Sequence, residues 1–101
     1  MRRGTTPTLV LTVSNFDLTT AKSLYVTIAQ FGNKLTKKSG DSSLKVEADT
    51  VSIWLTQEET LSFKSGSAEI QLRGISEGGE AFATEIAHIP VESILLEGVI
   101  Q

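Results

Sequence analysis

Glu58 and Glu59 stand side by side in the segment LTQEETLSF, residues 55–63. Two carboxylates flanking a scissile bond are the machinery of glycoside hydrolysis. Chain neighbours splay apart, however, and rarely supply both members of such a pair. The spacing favours another use. Thr56 is a good N-cap and Glu59 falls at the third helical position, so Thr–x–x–Glu reads as a capping box. In that arrangement each side chain satisfies a backbone N–H at a helix start. Both glutamates then lie at the positive end of a short helical turn, near residues 57–61. The chemistry expected here is structural.

The other candidates for catalysis are weaker still. His88 is the only histidine and there is no cysteine. A zinc site would need further nitrogen or sulfur ligands. Serines are plentiful, but none sits in a Gly–x–Ser–x–Gly elbow. His88 reads as an ordinary strand-edge or half-buried side chain. Gly74, Gly78 and Gly79 are followed by no Gly–Lys–Ser/Thr, so they form no phosphate loop. No catalytic residue, cofactor or metal ligand is assigned, and an enzyme is not expected.

What remains suits contact. Trp54 is out of phase with Val51, Ile53 and Leu55. Packing under the short helix is favoured over an exposed binding role for it. Tyr25, also opposite its strand's apolar phase, is expected to join Trp54 on a second face. Lys34, Lys37 and Lys38, with Lys45 nearby, form the one basic cluster. Lacking interleaved aromatics, they read as a guard against edge-to-edge aggregation, with an acidic or phosphate partner as the alternative. Tyr25, Trp54, Lys34, Lys37 and Lys38 are the candidate interface residues.

The elements that must position these side chains alternate with period two. Leu9, Leu11 and Val13 share a phase, as do Leu24, Val26 and Ile28. Leu44 and Val46 do the same, and so do Ala68, Ile70 and Leu72, with Glu69, Gln71 and Arg73 between them. Apolar-in, polar-out alternation suits antiparallel sheets with one solvated face. FGN turns one strand into KLTKKS, and Gly78 and Gly79 mark a hairpin tip. Phe82 and Ile86 lie on one phase, and Ile89 and Val91 on the other. A bulge near His88 would reconcile them. Pro90, lacking an N–H, places its strand at an edge. ILLEGVI, residues 94–100, reads as a final short strand. Seven or eight short strands with one helical turn predict an all-β chain, an antiparallel β-sandwich of immunoglobulin-like topology. Residues 1–7 are expected to be a flexible arm and residues 8–101 a single domain.

Bulk properties agree with a folded domain. The chain has 101 residues, 40% hydrophobic and 21% charged, with a net charge of −3. That sign argues against a nucleic-acid partner. Residues 1–50 carry seven basic and four acidic side chains, and residues 51–101 carry two and eight. Interleaving of strands from the two halves would mix these charges; the alternative is a basic face on one subunit meeting an acidic face on the next. No apolar stretch reaches membrane-spanning length. No signal peptide is visible.

The segments RGTTPTLVLTV, LYVTIAQFGNKL, VSIWLTQEETLSFKSGSAEIQLRG and AFATEI together resemble the N-terminal domain of phage baseplate upper proteins. These belong to tailed phages and prophages of Gram-positive bacteria. LTQEETLSF followed by AEIQLRG carries most of the resemblance, which spans residues 5 to 100 or so. It implies an immunoglobulin-like sandwich at the distal end of a tail: a non-enzymatic structural or adaptor subunit of the virion, made in the host cytoplasm. It also implies other tail or baseplate proteins, or further copies of the chain, as partners. The motif is structural rather than catalytic. A chain of this length is expected to lack the coiled coil and receptor-binding region that follow this module in the family, and so not to scaffold receptor-binding proteins directly. A stand-alone module for a cell-surface carbohydrate or protein is the alternative.

Overall fold

The structure is a computed structural model describing residues 1–101. Eight strands are joined by a 3₁₀ turn at Leu18–Thr20 and one helix, α1, at Gln57–Leu61. The strands are β1 (Thr8–Thr12), β2 (Ala21–Gln30), β3 (Asn33–Lys38), β4 (Leu44–Val46), β5 (Thr50–Trp54), β6 (Gly66–Ser76), β7 (Ala81–Ala83) and β8 (Ala87–Val91). They form two antiparallel sheets. The smaller has the order β1-β5-β4; the larger runs β3-β2-β6, with β7 and β8 end to end along the far side of β6.

Each sheet turns one face inward. Val51, Ile53 and Leu44 from the smaller sheet meet Leu24, Val26, Ile28, Ala68, Ile70 and Leu72 from the larger in one buried cluster. These are the residues that period-two alternation selects, and Leu18, Leu55, Phe63 and Val91 complete the cluster. The halves of the chain interleave, since β1 pairs β5 and β2 pairs β6. The uneven charge along the sequence is thereby spread over shared sheets.

The helix joins β5 in one sheet to β6 in the other, so the crossing occurs where the capping box lies. The box is complete: Glu59 N–H donates to Thr56 Oγ1 at 3.2 Å, and Thr56 N–H donates to Glu59 Oε1 at 2.9 Å. After one turn the chain enters the core at Phe63, which is fully buried. Gln30, also buried, pins the exit. Its amide donates to the Lys64 carbonyl at 2.6 Å and accepts from the Lys64 N–H at 2.7 Å, so a side chain imitates a ladder pair.

The β2–β3 hairpin closes Gln30 on Asn33 through two residues, Phe31 and Gly32, both with positive φ (46° and 83°). That is the turn whose twist suits a two-residue hairpin, and it favours Asn–Gly. A bulky residue there is strained, and Phe31 is 84% exposed, so no packing offsets the strain. Phe31→Asn is expected to stabilise the fold by about 0.5–1 kcal/mol, read as a higher urea midpoint with an unchanged slope.

The structure locates the expected bulge, removes the expected last strand and adds a 3₁₀ turn. The bulge that reconciles Phe82 with Ile89 is present and lies shortly before His88. Gly74 pairs Phe82 and Ile70 pairs Ala87, so four steps along β6 face five on its partner. The extra residue falls within Thr84–Ile86, where Thr84 both donates its N–H to the Leu72 carbonyl and accepts the Leu72 N–H on Oγ1. Ile86 is left pointing outward, half exposed. Residues 94–100 form no strand. Gln57 instead clips the tail, its amide bonding both the N–H and the carbonyl of Ile100. The 3₁₀ turn at Leu18–Thr20 was not expected; Asp17 caps it, its carboxylate accepting the Thr19 N–H at 3.0 Å. Pro90 does lie on an edge strand, since β8 pairs only β6.

Residues 1–7 lie against the domain. Arg2 bridges to Glu92 in parallel, and the backbones of Met1 and Arg3 bond to Glu92 on either side. Arg3 donates to the carbonyls of Phe63 and Leu61 and forks onto the Glu97 carboxylate.

Candidate interaction surface

The expected basic cluster is divided by the pleat of β3. Lys34 and Lys38 point outward with Thr36, whereas Lys37 shares the inward phase of Leu35 and pairs across the strand with buried Val26. Its stem runs between the sheets, and only 10% of the side chain is exposed. The ammonium donates to Ser43 Oγ at 2.8 Å, to the Trp54 carbonyl at 3.3 Å and to Glu59 Oε1 at 3.1 Å. Ser43 in turn donates to Asp41 Oδ1 at 2.7 Å. A polar chain, Asp41–Ser43–Lys37–Glu59–Thr56, thus ties β3 of the larger sheet to the β3–β4 turn, β5 and α1.

Ser43 beside Lys37 is the one nucleophile–amine contact in this region, and sequence spacing did not reveal it. A serine–lysine mechanism needs a neutral amine to take the hydroxyl proton. Here the amine is paired with the Glu59 carboxylate, 3.0 Å away, and directs its hydrogens at acceptors. The Ser43 hydroxyl proton is directed at Asp41, so the amine faces the oxygen lone pairs. Neither residue lines a concavity. The arrangement is a latch. Burial pushes the Glu59 carboxyl up, but the Thr56 N–H and the Lys37 ammonium outweigh it and hold it below the usual carboxylate range. Asp41 is also held low, by the hydroxyl and N–H of Ser43.

Trp54 does not pack under the helix. Its backbone belongs to the latch, with its N–H donating to the Ser43 carbonyl and its carbonyl accepting from Lys37. Its ring points away from the core, 52% exposed, on the outer face of the smaller sheet. The helix does not cover it because the chain leaves Leu55 towards the other sheet. Trp54 instead borders a shallow hollow of about 340 Å³ with Thr6, Thr56, Gln57, Glu58 and Val99. Val10 lies on the same outer face, and Leu95, Leu96, Val99 and Ile100 are exposed along the tail beyond it. An apolar strip therefore runs from β1 across Trp54 to the clipped tail.

Tyr25 does not join that strip. It lies on the outer face of the larger sheet, opposite Lys38 on β3 and Arg73 on β6. The Lys38 ammonium sits 5.5 Å from its ring centroid, a cation–π contact. The two aromatics thus mark opposite outer faces. Lys34 lies in another row, Lys34–Ala29–Glu69–His88. His88 is exposed at the edge, 4.0 Å from Glu69.

The chain matches no protein-family model, no curated protein and no solved structure.

Proposed function

We propose that this chain is a non-enzymatic structural or adaptor subunit of a phage or prophage tail or baseplate, working through protein–protein contacts. The observation that carries the contact function is the exposure of Val10, Trp54, Val99 and Ile100, with Trp54 and Val99 bordering one hollow, since clustered exposed apolar side chains mark interaction sites. The phage setting is supported by the resemblance, in which LTQEETLSF is the strongest element. The capping box in that segment turns the chain between the sheets and anchors the latch beneath Trp54. The fold in this reading is an immunoglobulin-like sandwich with one strand displaced. In the constant-type order the second strand accompanies the first and fifth; here β2 lies between β3 and β6.

The test is capture of a purified tail or baseplate assembly. Trp54→Ala is expected to weaken capture at least about tenfold, as for an interface aromatic, while moving the urea midpoint little because the ring is half exposed. Unchanged capture by this variant, or no capture by the wild-type chain, removes the reading. A second reading gains from Trp54 standing beside a hollow lined by Gln57, Glu58 and Thr6. Such a ring can stack on a sugar, and binding on a glycan array that Trp54→Ala abolishes would favour a carbohydrate module instead.

A further inference from the structure

The edges of the two sheets are not alike. β3 carries Lys34, Lys37 and Lys38, β4 and β7 are three residues long, and β8 contains Pro90 and His88. Each edge thus carries a device that discourages pairing with another chain: charge, brevity or proline. β1 has none. It is five residues of Thr–Leu–Val–Leu–Thr, uncharged and without proline, at the end of its sheet.

The free side of β1 is also chemically ready. The β1–β5 ladder continues at its ends through Val13 N–H to the Asp49 carbonyl and Leu55 N–H to the Pro7 carbonyl, so odd-numbered residues face β5. Alternation then turns the N–H and C=O groups of Thr8, Val10 and Thr12 to the open edge. The side chains of these three point outward and are exposed, and Val10 is 59% exposed.

We infer that the open edge of β1 pairs antiparallel with β1 of a second copy of this chain, about a two-fold axis through Val10. The inference rests on the protein-contact reading above and names one partner for it. The strand suits a second copy, because Thr8–Thr12 reads the same in both directions and so sets like residues opposite one another. Antiparallel pairing about Val10 sets Thr8 against Thr12, Leu9 against Leu11 and Val10 against itself. The Val10 pair and the two Thr8–Thr12 pairs each exchange two N–H···O bonds. Threonine pairs and β-branched pairs are favourable cross-strand neighbours. Leu9 and Leu11, half-buried against the core in one chain, close over the seam and extend the core into the next. A two-fold axis makes the contact self-complementary, so it closes at a dimer rather than growing into a fibre. The outcome is a six-stranded sheet, β4-β5-β1 continued by β1-β5-β4 of the second copy.

Sedimentation velocity over a dilution series up to about 1 mM tests this. The wild-type chain is expected to dimerise with concentration. Val10→Lys and Val10→Glu set like charges directly opposite one another across the axis, on residues whose Cα atoms stand about 5.5 Å apart, and each is expected to weaken self-association at least about tenfold. An equimolar mixture of the two is expected to restore the dimer, because only the mixed pair brings opposite charges together. In the wild-type chain, amide exchange at Thr8, Val10 and Thr12 should slow with concentration while Leu9 and Leu11 stay unchanged. This measurement does not depend on either variant folding. A chain monomeric at the highest concentration, a dimer indifferent to Val10→Lys, or a mixture that stays monomeric overturns the inference. A monomer that still captures tail proteins leaves the adaptor reading standing and sinks this one. A dimer that captures none does the reverse.

Discussion

Gly74→Ala is expected to destabilise the fold by about 1–3 kcal/mol, the range for forcing atoms into a packed core. The direction is the point. Gly74 does not need left-handed backbone, and a glycine-to-alanine change in ordinary strand geometry stabilises by about 0.4–1 kcal/mol through the unfolded chain. Gly74 differs because its missing side chain is occupied space. In β6 it lies between Leu24 on one neighbouring strand and Phe82 on the other. A Cβ there would stand 2.6 Å from Phe82 Cζ and 2.7 Å from Leu24 Cδ2. The Phe82 ring lies over the glycine and meets Phe16, with centroids 4.6 Å apart and planes tilted by 43°. These contacts hold β7 and the segment before Leu18 to the larger sheet. Phe82→Ala should also destabilise, by losing the ring. The double variant should lose less than the sum of the two, because alanine at 74 then meets no ring. Urea midpoints of the four chains check this, and a neutral or stabilising Gly74→Ala would show that the ring is not held there.

What the sequence made legible was local or strictly periodic. Thr56 and Glu59 are three residues apart, and the bonds between them form within one turn, so no tertiary information was needed. The inward phases of β2, β5 and β6 were legible because a period of two leaves each residue only two faces. The role of Gly74 is not legible, since nothing local tells that an aromatic eight residues later lies upon it. Trp54 was misplaced because its exposure depends on the direction in which the chain leaves Leu55. Tyr25 was grouped with Trp54 because alternation says inside or outside a sheet, not which sheet. Lys37 is the instructive case. It is two residues from Leu35 and therefore shares the inward phase, a signal present in NKLTKK. Grouping it with Lys34 and Lys38 by charge hid that signal. Its partner Glu59 is 22 residues away, beyond any spacing rule.

Glu59→Gln isolates the charge at the centre of this latch. Glutamine at the third helical position still supports a capping box, so the helix start survives and the ion pair with Lys37 is lost. The loss at neutral pH is expected to be about 1.5–3 kcal/mol, the range for a hydrogen bond to a charged group, because Lys37 keeps Ser43 and the Trp54 carbonyl. The Glu59 carboxyl is held below its ordinary range in the folded chain. Its contribution is therefore complete above the unfolded carboxylate range. It is lost as pH falls from about 5 towards the lower folded value, where both states are protonated. The gap between wild type and Glu59→Gln should accordingly close on acidification, although both chains weaken as their other carboxylates titrate. Asp41 is present in both and cancels to first order. Lys37→Met should be the harsher change, since it keeps the stem but leaves the Glu59 carboxylate, 77% buried by its exposure of 23%, without its cation. That variant should be worst near neutrality and recover relative to wild type as Glu59 protonates. A gap between wild type and Glu59→Gln that stays constant from pH 7 to about pH 3 would mean that the charge of the carboxylate is not the source of the difference. The tie between the sheets beneath Trp54 would then rest on the Lys37 contacts with Ser43 and the Trp54 carbonyl.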